Sequence, residues 1–296
     1  GAGCLEPNHR RCLISLSRGG GDASVVREFD TGTKGFVDGG FVLPEAKTEV
    51  SWQDDNTLIV ATDFGPGTLT DSGYARQVRA WTRGTSLSDA RLLIEGVSTD
   101  VEVHGGRSFS AGFHHDWLSV NHTFFTEDGY VKGGEEYVRL DKPADAQWNV
   151  WRDQLLLQLR SNWTIGETTY AAGSLLMANL NDYLRGQRMF VRLFEPSATK
   201  SLHAYIATAS RVMVVELEDV QTRLYAWQNR RGTWTRSPIH SDVRGMQRIA
   251  AVDDTSDEYW HWVSDYLTPN TYSIGTGRDR LTQLRQEPSF FDAQGL

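Results

Sequence analysis

Short apolar stretches separated by polar, glycine-rich turns recur from one end of the chain to the other. Residues 11–17 read as a strand, closed by the turn Gly19-Gly20-Gly21-Asp22. Residues 24–30 read as its return, followed by a turn at 31–35 and a short outer strand at 40–44. The order restarts with 49–52, the turn Gln53-Asp54-Asp55-Asn56, and the apolar strand 58–61. A long loop of Gly, Thr, Asp and Ser follows, then strands at 77–81 and 91–95. A third unit runs from about 101 to 140 around a central strand at 117–125. The fourth has strands at 148–151, 154–160, 174–178 and 189–194, with a short helical turn at 180–185. The fifth has strands at 203–208, 212–217, 223–227 and 232–235, and the sixth at 249–252, 259–263, 270–274 and 281–284.

Six units of roughly 40 to 50 residues with three or four strands each match a propeller blade of ~40–45 residues and four strands. The blades fall at about 1–45, 46–96, 97–141, 142–197, 198–238 and 239–287, with 288–296 starting a linker. Segments 155–157 and 212–215 are continuously apolar instead of alternating, as in strands covered on both faces. The pattern therefore predicts an all-β chain, a β-propeller of four-stranded antiparallel blades. A two-sheet sandwich is the alternative, but more than twenty strands in six similar groups are too many for an ordinary one.

Composition agrees with this class. Ten Trp, ten Tyr and twelve Phe are large ring side chains of the kind that pleated sheets favour, and 28 Gly against eight Pro suit a turn-rich folded domain. The net charge of −8 and the lack of a basic stripe speak against nucleic acid; the densest basic run, Arg230-Arg231, lies in a hairpin-like turn. No apolar run approaches the ~20 residues of a membrane span. The start, Gly1-Ala2-Gly3-Cys4, has neither Met nor leader and reads as a chain cut into. Cys4 and Cys12, with seven residues between them, could pair. They are read as two unpaired thiols, which points to a reducing compartment and a cytoplasmic location. Asn121-His122-Thr123 and Asn162-Trp163-Thr164 fit the glycosylation pattern, which carries little weight without secretion.

The chemistry-bearing candidates are few. Asp63-Phe64-Gly65 invites comparison with the magnesium-binding triplet of protein kinases, but the phosphate loop, strand lysine and catalytic loop that must accompany it are missing. The loop that begins there carries Asp63, Phe64, Asp71, Tyr74 and Arg76, side chains suited to touching a ligand or partner, although Phe64 and Tyr74 could equally anchor the loop. His114-His115-Asp116 resembles a ligand set only superficially, because adjacent strand residues face opposite ways. Asp253-Asp254-Thr255-Ser256-Asp257-Glu258 reads as a solvated loop. Arg231-Gly232-Thr233-Trp234 matches only the tail of the sialidase repeat, and no Gly-x-Ser-x-Gly elbow occurs. No metal, cofactor or catalytic residue is assigned.

A string of words in order does resemble a known family. Leu16-Ser17-Arg18-Gly19-Gly20-Gly21-Asp22-Ala23, Val26-Arg27-Glu28-Phe29-Asp30, Leu43-Pro44-Glu45-Ala46-Lys47, Thr62-Asp63-Phe64-Gly65-Pro66-Gly67, Asp71-Ser72-Gly73-Tyr74 and Leu284-Arg285-Gln286-Glu287-Pro288-Ser289-Phe290-Phe291-Asp292 are similar to the propeller of bacterial prolyl oligopeptidase family proteins. The resemblance implies a seven-bladed propeller that caps an α/β-hydrolase serine peptidase domain and admits peptides but not folded proteins. The catalytic Ser, Asp and His belong to the segment after the propeller, so none is carried over here. By that topology the loop after Ala61 is the substrate-gating candidate, with Asp63, Phe64, Asp71, Tyr74 and Arg76 in it. The implied partner is a peptide, reached through a hydrolase domain this chain lacks. Stand-alone partner-binding propellers and propeller glycosidases are the competing classes.

Six blades where seven are implied leave one blade absent. If each open blade face exposed ~500 Å² of apolar area, the cost would be roughly 12 kcal/mol per face. A closed six-blade ring, or self-association through the exposed faces, is therefore expected.

Overall fold

A computed structural model describes residues 1–110, 112–239, 245–253, 255–276 and 280–292. Asp254 of the acidic loop and residues 293–296 of the expected linker lie outside the described residues. Among the described residues the strands form six antiparallel sheets of four or five strands, in which chain neighbours pair in order, and one separate two-stranded hairpin; so many separate sheets exclude a two-sheet sandwich. The first sheet holds Ala2–Cys4, Arg11–Ser17, Ser24–Asp30 and Gly35–Phe36, with Val42–Ala46 also paired to Ser24–Asp30. The second holds Glu49–Asp54, Thr57–Ala61, Gln77–Thr82 and Arg91–Glu95; the third holds Glu102–Ser110, Phe113–Asn121, Glu127–Gly133 and Glu136–Arg139. The fourth is Gln147–Trp151, Gln154–Gln158, Leu175–Asn179 and Val191–Phe194. The fifth is Lys200–Ala207, Arg211–Glu218, Gln221–Arg230 and Thr233–Ile239, and the sixth is Met246–Val252, Tyr259–Ser264, Thr271–Thr276 and Arg280–Gln286. Two compact units result, 1–109 with 114–145 and 110–113 with 146–296.

In the first unit, the strand Thr57–Ala61 shows why an uninterrupted apolar run is needed. Side chains alternate across a strand. Leu58 and Val60 enter one core with Leu13, Val26, Leu43 and Trp52. Ile59 and Ala61 enter another with Val78, Val103, Leu118 and Val120. Full burial of each such aliphatic side chain stabilises the fold by roughly 1.5–3 kcal/mol.

Charged hubs join neighbouring sheets beside these cores. Glu28 is buried, and Arg83 grips it through Nη1 at 2.7 Å and Nη2 at 3.1 Å, while Arg11 and the Phe41 N–H also donate to it. Burial pushes the Glu28 carboxyl up, but the Arg83 hydrogen bond, the Phe41 N–H and the two cations outweigh it and hold it below its usual value. Asp116 of the His114-His115-Asp116 run is occupied in the same way, accepting from Gln53 Nε2 at 2.6 Å and from the Arg107 guanidinium. It ties the second sheet to the third.

The cysteine reading is corrected. Cys4 and Cys12 form a disulfide, with Cα atoms 3.9 Å apart. The sequence pattern showed no strand before Arg11, yet Ala2–Cys4 pairs with Arg11–Ser17 in a register that sets the two cysteines opposite each other.

The second unit repeats the two-faced strand. Val212 and Val214 pack with Leu156, Met177 and Leu193, whereas Met213 and Val215 pack with Leu224, Ala226 and Tyr259. Gly275 has to be glycine, because a Cβ there would lie 2.1 Å from the Tyr259 ring. The acidic loop is not merely solvated: Asp257 accepts from Thr208 Oγ1, Ser210 N and Ser210 Oγ at 2.6–2.8 Å, fastening the fifth sheet to the sixth. His261 is fully buried, its Nε2 3.0 Å from Gln247 Oε1, and burial pushes its pKa down to about 4.

The helix Leu180–Leu184 starts where Asn179 Oδ1 accepts the Asp182 N–H at 3.1 Å, the side-chain capping that favours Asn at this position. A hairpin, Trp163–Ile165 with Thr168–Tyr170, was not foreseen. Its Trp163 and Tyr170 pack edge-on against Phe190, giving it a small aromatic core.

Candidate functional site

In a four-stranded meander, the turn between the second and third strands and the link to the next sheet lie at the same edge. The long loop at 62–76 is such a turn. Around it the first unit gathers Asp22 from the first sheet's turn, Lys47 from the link, Glu49 from the start of the second sheet, Tyr74 from the loop, and Glu102 from the start of the third sheet. Together they line a cleft of about 80 Å³. Ligand pockets are typically ~300–1,000 Å³, so this notch takes a side-chain end and not a whole substrate. It suits a wall.

The loop is held, not loose. Asp63 Oδ1 accepts the Gly65 N–H at 2.8 Å, a local turn that uses the carboxylate the kinase comparison singled out. Buried Thr68 accepts the Phe64 N–H at 3.0 Å and donates to the Gly65 carbonyl at 2.7 Å. Thr70 and Tyr74 bond through their backbones, Leu69 bridges Ala75, and the Asp71 and Arg76 N–H groups donate to Ser98 and Thr68 carbonyls.

The five candidate residues separate on this scaffold. Phe64 packs against the core shared by the first two sheets, and the Arg79 guanidinium covers its ring at 4.4 Å, so it is an anchor. Arg76 Nη2 donates to Glu95 Oε1 at 2.6 Å. Asp63 and Asp71 are exposed. Tyr74 alone of the five lines the cleft, with Lys47 Nζ 4.1 Å above its ring.

Lys47, Glu49 and Glu102 were not singled out by the sequence. They come from separate segments, and no local spacing links them to Tyr74. A hydrogen bond from His104 holds the Glu102 carboxyl below its usual value against the opposing pull of burial, with help from Asn121.

The corresponding turn of the third sheet differs. The expected strand through 125 ends at Asn121, and a tight turn follows in which Thr123 Oγ1 accepts the N–H groups of Phe125 and Thr126, each at 3.1 Å. His122 bridges Asp100 at 2.9 Å and Asp128 at 3.4 Å. The Asp100 hydrogen bond raises its pKa, with Asp128 adding to the shift and burial opposing it. Among the described residues no group of three His, Cys, Asp or Glu could hold a metal ion, and no helix is long and apolar enough to cross a membrane.

A likeness to a solved structure, described as a post-proline cleaving enzyme from Rickettsia typhi, identifies the architecture as a β-propeller. Its TM-score is 0.89 at 23% identity, covering 99% of this chain and 45% of that one. Residues 2–286 match the model of the prolyl oligopeptidase N-terminal beta-propeller domain, and the chain belongs to that family. An uncharacterized peptidase of Sinorhizobium fredii is 31% identical over all of this chain and 42% of its own length. Another from Rickettsia prowazekii is 24% identical over 98% and 43%. The chain thus spans about two fifths of the curated relatives it matches.

Proposed function

We propose that this chain is the non-catalytic propeller of a prolyl oligopeptidase-like serine peptidase, acting as a scaffold and as a gate that limits the active site to peptides. The observation that carries the reading is the pinned loop at 62–76. It holds Tyr74 at the rim of a cleft too small for a substrate, on the edge where three sheets bring their connections together. The chain supplies shape and contact, and the hydrolytic serine, acid and histidine come from a hydrolase domain outside it. A prolyl peptide is the proposed partner, and the chain alone is inactive. Incubating it with a prolyl peptide gives no hydrolysis; turnover abolished by a serine-directed inhibitor would contradict the proposal. In the longer polypeptide, Tyr74→Ala raises KM with little change in kcat.

The cytoplasmic assignment loses its sequence support now that Cys4 and Cys12 are joined. A gate of this kind works in either redox compartment. Self-association has one observation in its favour: the outer face of the first sheet leaves Leu16 and Val42 about half exposed. Sedimentation showing a strict monomer at high concentration would exclude it.

A further inference from the structure

A cleft larger than the notch at Tyr74 lies wholly within the second unit. In a meander, the turns from first to second and from third to fourth strand share the edge opposite the second-to-third turn. Three such turns meet here. Residues 151–154 turn the fourth sheet, Ser210 lies in the first turn of the fifth, and Gln228, Asn229 and Trp234 flank its last turn. With Phe113 they enclose about 290 Å³, beside the lower bound of the ~300–1,000 Å³ usual for small-molecule pockets.

The walls are set in advance. Trp151 and Trp234 have ring centroids 6.1 Å apart, and Trp151 Nε1 donates to the Thr208 carbonyl at 2.9 Å. The Arg152 guanidinium lies over the Phe113 ring at 5.0 Å, and its Nη1 donates to the Ala209 carbonyl at 2.6 Å. Arg152 also holds a φ of 54°, a left-handed conformation that is unfavourable for a long side chain and concentrates at ligand sites. Gln154 is the decisive residue. It is only 8% exposed, yet among the described residues its side-chain amide makes no hydrogen bond. An enclosed amide without partners is costly, and this one lines the cleft, presenting a donor and an acceptor to whatever fills that space. Beside it the Gln228 amide reaches only Ser210 Oγ, at 3.5 Å, and the charges of Arg152 and Asp153 cancel.

We propose that this cleft binds a neutral saccharide unit. A pyranose ring offers an apolar C–H face to an indole and a rim of hydroxyls that each donate and accept. Flat aromatic walls, open side-chain amides and no net charge are the complement of that chemistry. A polyproline segment would also stack on the rings, but its imide nitrogens bring no N–H to the Gln154 carbonyl. The proposal stands independently of the peptidase reading.

Saturation-transfer NMR on the chain tests it with the methyl pyranosides of glucose, galactose, mannose and N-acetylglucosamine, and with a prolyl peptide in parallel. The expected result is transfer to the ring C–H protons of at least one pyranoside. Trp234→Ala weakens its affinity about tenfold, as loss of one stacked face would. Gln154→Leu weakens it several-fold while the melting temperature holds or rises, because an unpaired enclosed amide is removed and its volume is kept. Transfer to none of the sugars overturns the proposal. So does transfer that survives both substitutions, which puts the sugar elsewhere, or transfer to the peptide alone, which makes the cleft a peptide groove. If Trp234→Ala does not fold, Gln154→Leu decides by itself. None of these outcomes bears on hydrolysis by the longer polypeptide, so the gate stands or falls separately.

Discussion

The loop at 62–76 and the turn at 122–126 join the same strands of neighbouring sheets and treat their aromatic residues in opposite ways. The long loop buries threonine hydroxyls, packs Phe64 against a core and stacks cations on both its rings. The short turn has no such cover and holds Phe124 and Phe125 in solvent. Length is thus a poor guide to freedom. Fifteen residues can be stitched into the edge of a sheet when side-chain hydroxyls satisfy the backbone, and five can form a rigid projection for the same reason.

The contrast can be tested from its strongest contact to its weakest. Phe64→Ala removes a ring packed against the core and should cost about 2–3 kcal/mol in chemical denaturation, less than a fully buried Phe because the site is half-open. A cost near zero would make the loop an independent flap. Thr68→Val leaves the Phe64 N–H without its acceptor and should cost roughly 1–2 kcal/mol, with faster amide exchange confined to the loop. Exchange that spreads through the second sheet would show that the loop and sheet open together.

The His122 clamp is a pH experiment. Its folded pKa lies above the ordinary 6.5, so the bridge to Asp100 and Asp128 contributes fully below that value and is lost as pH rises through the folded pKa. His122→Gln should flatten this alkaline-side decline in melting temperature. His261 has the opposite sign. Being held neutral with a pKa of about 4, it costs stability as pH falls from 6.5 toward that value, so variant and parent are compared above pH 6.5. The smallest effect belongs to Phe124→Ser/Phe125→Ser, which should change the stability of the chain alone by no more than ~0.5 kcal/mol. A larger loss would mean that the two rings pack within their own unit.

Several strands could be read closely because their signals are local. Strands 11–17 and 24–30 follow from apolar runs bounded by a glycine turn, and the helix after Asn179 was legible too. The hairpin at 163–170 was not, since its two three-residue strands are stabilised by Phe190, some twenty residues further on. Asp257 looked like one more acid in a polar run; its partners, Thr208 and Ser210, lie almost fifty residues earlier.

The candidate site divides along the same line. Asp63, Phe64, Asp71, Tyr74 and Arg76 were visible as unusual residues in one loop. Which of them is an anchor and which faces the cleft depends on Arg79, Lys47 and Glu102, contributed by other strands and links.

By itself, then, the sequence determined a six-unit all-β chain and the two-faced character of its apolar strands, because strand periodicity and turn chemistry act over a few residues. Tertiary structure alone decided that Cys4 meets Cys12, that Asp116 and Asp257 are fasteners, and that Tyr74 and not Phe64 reaches the cleft. Each of those outcomes depends on which distant residue the register or the neighbouring sheet brings within bonding distance.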